Sequence, residues 1–81
     1  MDNEQQRKLS FGEKAVGLTF NPSDNAHVNQ VKAKCAELIN YLNDLRTDSQ
    51  DSEVKRMAAV AITELQTAQM WAVKAITWER N

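Results

Sequence analysis

Residues 54–78, VKRMAAVAITELQTAQMWAVKAITW, constrain the fold more than any other part of this chain, because small side chains recur in them with the period of a helix face. Val54, Ala58, Ala61, Leu65, Ala68, Ala72 and Ala75 follow one another at alternating steps of four and three. On one long helix that spacing draws a narrow stripe. A stripe made mostly of alanine lets a partner helix come very close.

The partner is upstream. Val28, Val31, Cys35, Leu38, Leu42 and Leu45 repeat at steps of three and four, the a/d pattern of a helix seam, and here the side chains are large. Between the two seams, TDSQDS at residues 47–52 is a polar cluster suited to a turn, with Ser52 or Asp51 as the N-cap of the second helix. An antiparallel hairpin folded there opposes Leu45 to Val54, Leu42 to Ala58, Leu38 to Ala61, Cys35 to Leu65, Val31 to Ala68 and Val28 to Ala72. Large meets small at nearly every layer, as interdigitated helices require. The expected fold is all-α: a single domain over residues 1–81, with an N-terminal segment at 1–25, a first long helix at 26–47 and a second at 52–79. The N-terminal segment forms a short helix or arm, and the whole assembles into a homo-oligomeric helical bundle.

Oligomerisation is expected because ordering a chain costs on the order of 1.5 kcal/mol per residue, which an alanine-lined two-helix interface does not comfortably offset. The second helix also carries apolar side chains that its seam does not use. Met57, Val60, Trp71 and Trp78 lie along one flank and Ile62, Val73 and Ile76 along the other, a surplus that suits the core of a bundle or of an oligomer. The two tryptophans also suit the edge of a ligand pocket, since the indole pairs an apolar face with a polar N–H.

The first quarter of the chain has a different texture. A short helix is expected from about Asn3 to Lys8 or further, and Gly12, Gly17 and Pro22 then break regular structure. By the pairing above the second helix exceeds the first by about eight residues, an overhang of about 12 Å at 1.5 Å per residue. Residues 18–22 are the expected cover, with Leu18 and Phe20 packed on Val73, Ile76 and Trp78. One of Asn21, Ser23, Asp24 and Asn25 should cap the first long helix, and a helix start of that kind also suits a phosphate.

Several function classes find no support. There is no apolar run approaching about 18 residues and no signal-peptide pattern, so neither a membrane span nor export by that route is expected. Ten basic residues scattered among eleven acidic ones give a net charge of −1, with no general attraction for a nucleic-acid polymer. An anion would have to be held by a local pocket. The single cysteine, Cys35, falls in the seam and reads as packing in a reducing cytosol. His27 stands near an exposed helix start and reads as a surface residue. Glu13, Glu37, Asp44 and Glu64 lack a Glu-x-x-His partner, and no phosphate-binding glycine loop, Cys-x-x-Cys or nucleophile motif is present. No enzyme, metal or cofactor is expected. One polar strip stands out: Arg56, Thr63, Thr67 and Lys74 share a face opposite the alanine stripe. Arg56 and Lys74 are about 27 Å apart along the axis, so they belong to separate sites or to none.

The segment VKRMAAVAITELQTAQMWAVKAI resembles the second hairpin helix of the small bacteriophage sponge proteins that defeat CBASS immunity by sequestering its cyclic oligonucleotide signals. That hairpin is shared with sponges that counter Thoeris immunity. The resemblance rests on Arg56, the apolar run at 58–62, Thr63 to Gln66 in a Thr-x-Leu-Gln element, and Met70 to Ala75 in a Met-x-x-Val-Lys-Ala ending, and extends to Asn29-Gln30-Val31-Lys32 in the first helix. It implies a non-enzymatic, helical homo-oligomer, commonly a hexamer, that holds cyclic di- or trinucleotides whole in the cytoplasm of an infected bacterium.

By that resemblance Lys32 contacts phosphate, an N-terminal aromatic stacks on a base, and Arg56 serves a separate trinucleotide site. The family aromatic precedes an Arg-x-Leu-Ser-like element, where this chain has Gln6 before Arg7-Lys8-Leu9-Ser10; Phe11 or Phe20 is then the stacking candidate. Ser23 joins Lys32 and the phenylalanine in one candidate pocket, Thr63 and Thr67 join Arg56 in the other, and Lys32 is expected to lie beside the seam. The rival class is a structural or adaptor hairpin that oligomerises and binds protein.

Overall fold

The computed structural model describes residues 8–22 and 24–78, and within them every regular element is helical. We number them α1 (Phe11–Ala15), α2 (Ala26–Asp48) and α3 (Ser52–Ile76). No helix among the described residues is long and apolar enough to cross a membrane.

Local chemistry sets the ends of the long helices. Asn25 caps α2, its side chain accepting from the backbone N–H groups of His27 and Val28 at 2.8 and 3.3 Å. Asn21 braces that cap: it accepts from Asn25 N at 3.2 Å and donates to Asn25 O at 2.9 Å and to Asn29 Oδ1 at 2.8 Å. Asp51 caps α3 by accepting from Glu53 N at 2.9 Å. Lys55 reaches back 2.7 Å to the carbonyl of Arg46, in the last turn of α2 where carbonyls lack intrahelical donors. The connection is only three residues long, and the helices have 23 and 25 residues. The expected overhang is therefore absent: α2 begins directly at its Asn25 cap and α3 stops at Ile76, so the two run side by side.

The N-terminal segment departs further from expectation. The short helix expected at residues 3–8 falls, except for Lys8, outside the described residues. The helix that is seen begins after Ser10, whose hydroxyl accepts from Glu13 N at 3.1 Å while the Glu13 carboxylate accepts from Ser10 N at 2.9 Å, a reciprocal capping box. It ends at Gly17, where φ is +62°. There Gly17 N donates to Lys14 O and Leu18 N to Glu13 O, the paired bonds of a Schellman stop.

Gly12 lies inside this helix and does not break it. A glycine is needed because a Cβ there would stand 2.1 Å from the carbonyl oxygen of Ala36. That close approach lets Asn40 of α2 accept from Gly12 N at 2.7 Å and donate to Ser10 Oγ at 3.0 Å. On α3, Gln66 donates to Ala15 O at 3.3 Å.

The core sits where the three segments meet. Val16, Ala36, Ile39 and Ile62 form it, with Ile39 at 0% exposure, and Ala15, Leu18, Cys35, Leu42 and Leu65 pack around it. This turns the buried faces away from the expected stripes. Ala68 and Ala75 are exposed, as are Leu38 and Leu45, whereas Ile62 is core and Val73 and Ile76 are half-buried. A two-helix seam buries one narrow line on each helix; a third segment laid along the same side widens that line and rotates it toward itself. Phe20 and Trp78 are exposed rather than packed as a cover, and Leu18 packs against the core of Val16, Ala36, Ile39 and Ile62. Met57, Val60 and Trp71 stay exposed along α3. Cys35 is a half-buried free thiol whose pKa burial raises.

Gly12→Ala should lower the free energy of urea unfolding, followed by far-ultraviolet circular dichroism, by about 1–3 kcal/mol, the usual range for overpacking. An unchanged midpoint would show that α1 does not rest on α2 as closely as its backbone contact requires.

Candidate functional site

Lys32 is the residue from which the site is built. It lies on the face of α2 turned toward the N-terminal segment and is only 4% exposed, so it stands within the packed face and not beside it. Its ammonium donates to Gly17 O at 2.9 Å and to Phe20 O. Burial lowers its pKa from the ordinary lysine value, since the charged form is the one that loses hydration. The two carbonyls that replace that hydration come from a tight turn, closed by Phe20 N donating to Gly17 O at 2.9 Å. An ammonium carries three donors, so one remains beyond those two carbonyls.

The same turn fixes Phe20. Its carbonyl points inward to Lys32, while its side chain is 72% exposed and its ring centroid stands 5.4 Å from the ammonium nitrogen, a cation–π distance. Ring and ammonium border one open groove of about 480 Å³, lined also by Val16, Gly17, Gln69 and Val73. The groove offers a stacking face, a cation and a carboxamide, which together suit non-covalent recognition of a planar, anionic molecule.

Of the two phenylalanines, this geometry groups Phe20 with Lys32 and sets Phe11 apart. Phe11 is 43% exposed, and its ring lies 5.2 Å from the guanidinium of Arg46. Arg46 is fourteen positions beyond Lys32 on α2, about 21 Å along the axis. Arg46, Thr47 and Lys55 border another open depression, near the hairpin turn. Ser23 lies outside the described residues.

Arg56, Thr63 and Thr67 stand exposed on α3, away from the groove. The Arg56 guanidinium pairs with Glu53 through bonds of 2.5 and 3.1 Å, and this bond holds the Glu53 carboxyl below its usual pKa. The Thr67 hydroxyl donates back to Thr63 O at 3.2 Å. His27 is exposed, and among the described residues no group of three or more His, Cys, Asp or Glu side chains is placed to hold a metal ion.

Gln69 was not singled out by the sequence. It is 7% exposed and, with Lys32, makes up the buried polar or charged set among the described residues. A signal for it did exist. Gln69 follows Ile62 by seven residues, so it occupies the same helix face as a core isoleucine, where a carboxamide is out of place unless something pairs with it.

A family model for the Acb2/Tad1 hairpin domain matches residues 13–77, a span that takes in both long helices and every groove residue named above. No curated protein and no solved structure matches the chain.

Lys32→Met keeps the stem and removes the donors, leaving the Gly17 and Phe20 carbonyls without their partner. The expected loss is about 1–3 kcal/mol of stability, with amide exchange at residues 17–20 accelerated more than in α2 or α3. Uniform acceleration throughout the chain would show that Lys32 supports the whole hairpin and not this turn.

Proposed function

We propose, since this chain belongs to the Acb2/Tad1 hairpin domain family, that it binds cyclic dinucleotides in the Phe20–Lys32 groove and withholds them from their receptors unaltered. Membership itself points to sponge-type sequestration of cyclic nucleotide signals. The observation that carries the finer reading is the convergence of an exposed ring and a buried ammonium on one groove. A base stacked on Phe20 contributes about 1–3 kcal/mol, and a ligand phosphate takes the remaining Lys32 donor as a charge-assisted bond. The whole event is binding, and no bond of the ligand breaks.

A cyclic dinucleotide has two bases and two phosphates, so a twofold pair of chains matches it better than one chain does. Self-association is supported by the exposed flank of α3, where Met57, Val60, Trp71 and Trp78 leave a strip of large apolar side chains in water. We take the working assembly to be a homo-oligomer, with a hexamer as the expected state, acting in the cytoplasm of an infected bacterium. Arg56, Thr63 and Thr67 form a second site, for a cyclic trinucleotide, completed between copies. The Arg56–Glu53 pair is open to solvent, and water screens such pairs enough that a phosphate replaces the carboxylate readily. The same apolar strip also supports an adaptor role through protein binding, and ligand experiments separate the two.

Thermal shift across a panel of cyclic di- and trinucleotides should reveal stabilisation, with the ligand recovered intact after the protein is denatured. Recovery of degraded ligand would indicate an enzyme, and no shift with any ligand would leave the adaptor reading. Phe20→Ala should weaken dinucleotide binding by roughly 5- to 150-fold, the equivalent of one lost stack. Arg56→Ala should reduce trinucleotide binding while leaving dinucleotide affinity in place. Light scattering that finds only a monomer at working concentration would remove the twofold site.

A further inference from the structure

Gln69 raises a question that the stack and the cation leave open. It is 7% exposed, buried though less completely than the apolar core, yet no described residue hydrogen-bonds its carboxamide. Among the described residues, no fully buried side-chain nitrogen or oxygen lacks a hydrogen-bond partner. The Gln69 amide is therefore not sealed in. Its polar atoms reach open space, and the space this side chain borders is the groove of Phe20 and Lys32.

Its neighbour on α3 already makes the tie to the N-terminal segment. Gln66, just short of one turn earlier on α3, already ties the helix to the N-terminal segment by donating to Ala15 O at 3.3 Å. Gln69 makes no second tie of that sort. With no protein partner, the amide keeps its donor and acceptor for whatever occupies the groove, and a ligand edge that matches both exchanges hydration for direct bonds.

We propose that Gln69 is the base-reading residue of this groove, its carboxamide pairing with an adjacent donor and acceptor on a nucleobase edge. The inference rests on the sequestration reading and adds to it the contact that senses the base. A carboxamide presents an acceptor oxygen beside an N–H donor. Adenine offers the complement through its exocyclic amine and a ring nitrogen, and guanine does so through N1–H and O6. A carboxylate presents acceptors alone, and the purine edge that meets it with two neighbouring donors is the N1–H and N2 amine of guanine. Changing Gln69 to Glu should therefore alter which base is preferred, and not merely how tightly it is held.

The test is calorimetric titration of the full chain with cyclic di-AMP and cyclic di-GMP. Gln69→Leu should raise the Kd for whichever ligand the parent chain binds by about tenfold, the loss expected for a bidentate contact, with helicity and assembly unchanged. Gln69→Glu should shift the ratio of the two Kd values toward cyclic di-GMP by about tenfold. Unchanged Kd values in the Leu variant together with an unchanged ratio in the Glu variant would overturn the inference while leaving sequestration intact. If the Leu variant fails to fold, the ratio in the Glu variant decides alone. A parent chain that binds neither of these nor any other cyclic dinucleotide of the panel overturns the groove reading, and this inference with it.

Discussion

An ammonium group inside a protein has to be given oxygen atoms in place of water, and Lys32 takes them from the turn that follows α1. That requirement organises the N-terminal half of the molecule. Once the Gly17 and Phe20 carbonyls are drawn onto Lys32, Val16 lies against Ile39 and Ile62 and the Phe20 side chain is turned outward. The Asn40 bonds to Gly12 and Ser10 pin the other end of α1 to the same helix. The segment is thus held at two points, and the ring that borders the groove is presented by a backbone with little freedom.

This arrangement divides labour among similar residues. Of the two glutamines that face the N-terminal segment, Gln66 is spent on a backbone carbonyl and Gln69 faces the groove. Of the two phenylalanines, Phe11 shares its ring with Arg46 near the hairpin turn and Phe20 shares its ring with Lys32. The ring, the ammonium and the carboxamide collect where the third segment meets the hairpin, and the apolar flank of α3 stays exposed.

Much of the local structure was legible in the residues. The seam periodicity placed two long helices, and the caps at Asn25 and Asp51 follow from short polar side chains standing next to apolar runs. These features depend on a few neighbouring residues, so sequence is enough to expose them. The pairing of the seams was less legible. Leu38 and Leu45 read as interior and are exposed, while Ile62, read as lying on a flank outside the seam, is in the core beside Ile39. Gly12 read as a breaker and lies inside a helix because Ala36 O leaves no room for a side chain. Each of these differences traces to α1 and Val16, a segment of little periodicity that lies against both helices.

By itself the sequence determined that two amphipathic helices fold back on one another and where they begin, because propensity, period and capping act within a few turns of chain, and its resemblance to the sponge family pointed to cyclic-nucleotide binding. Which face of each helix is buried, which phenylalanine meets Lys32, and that Gln69 faces the same groove were decided only by tertiary packing. A third segment competing for the hairpin surface rotates the buried arc, and the outcome depends on contacts between residues far apart in sequence.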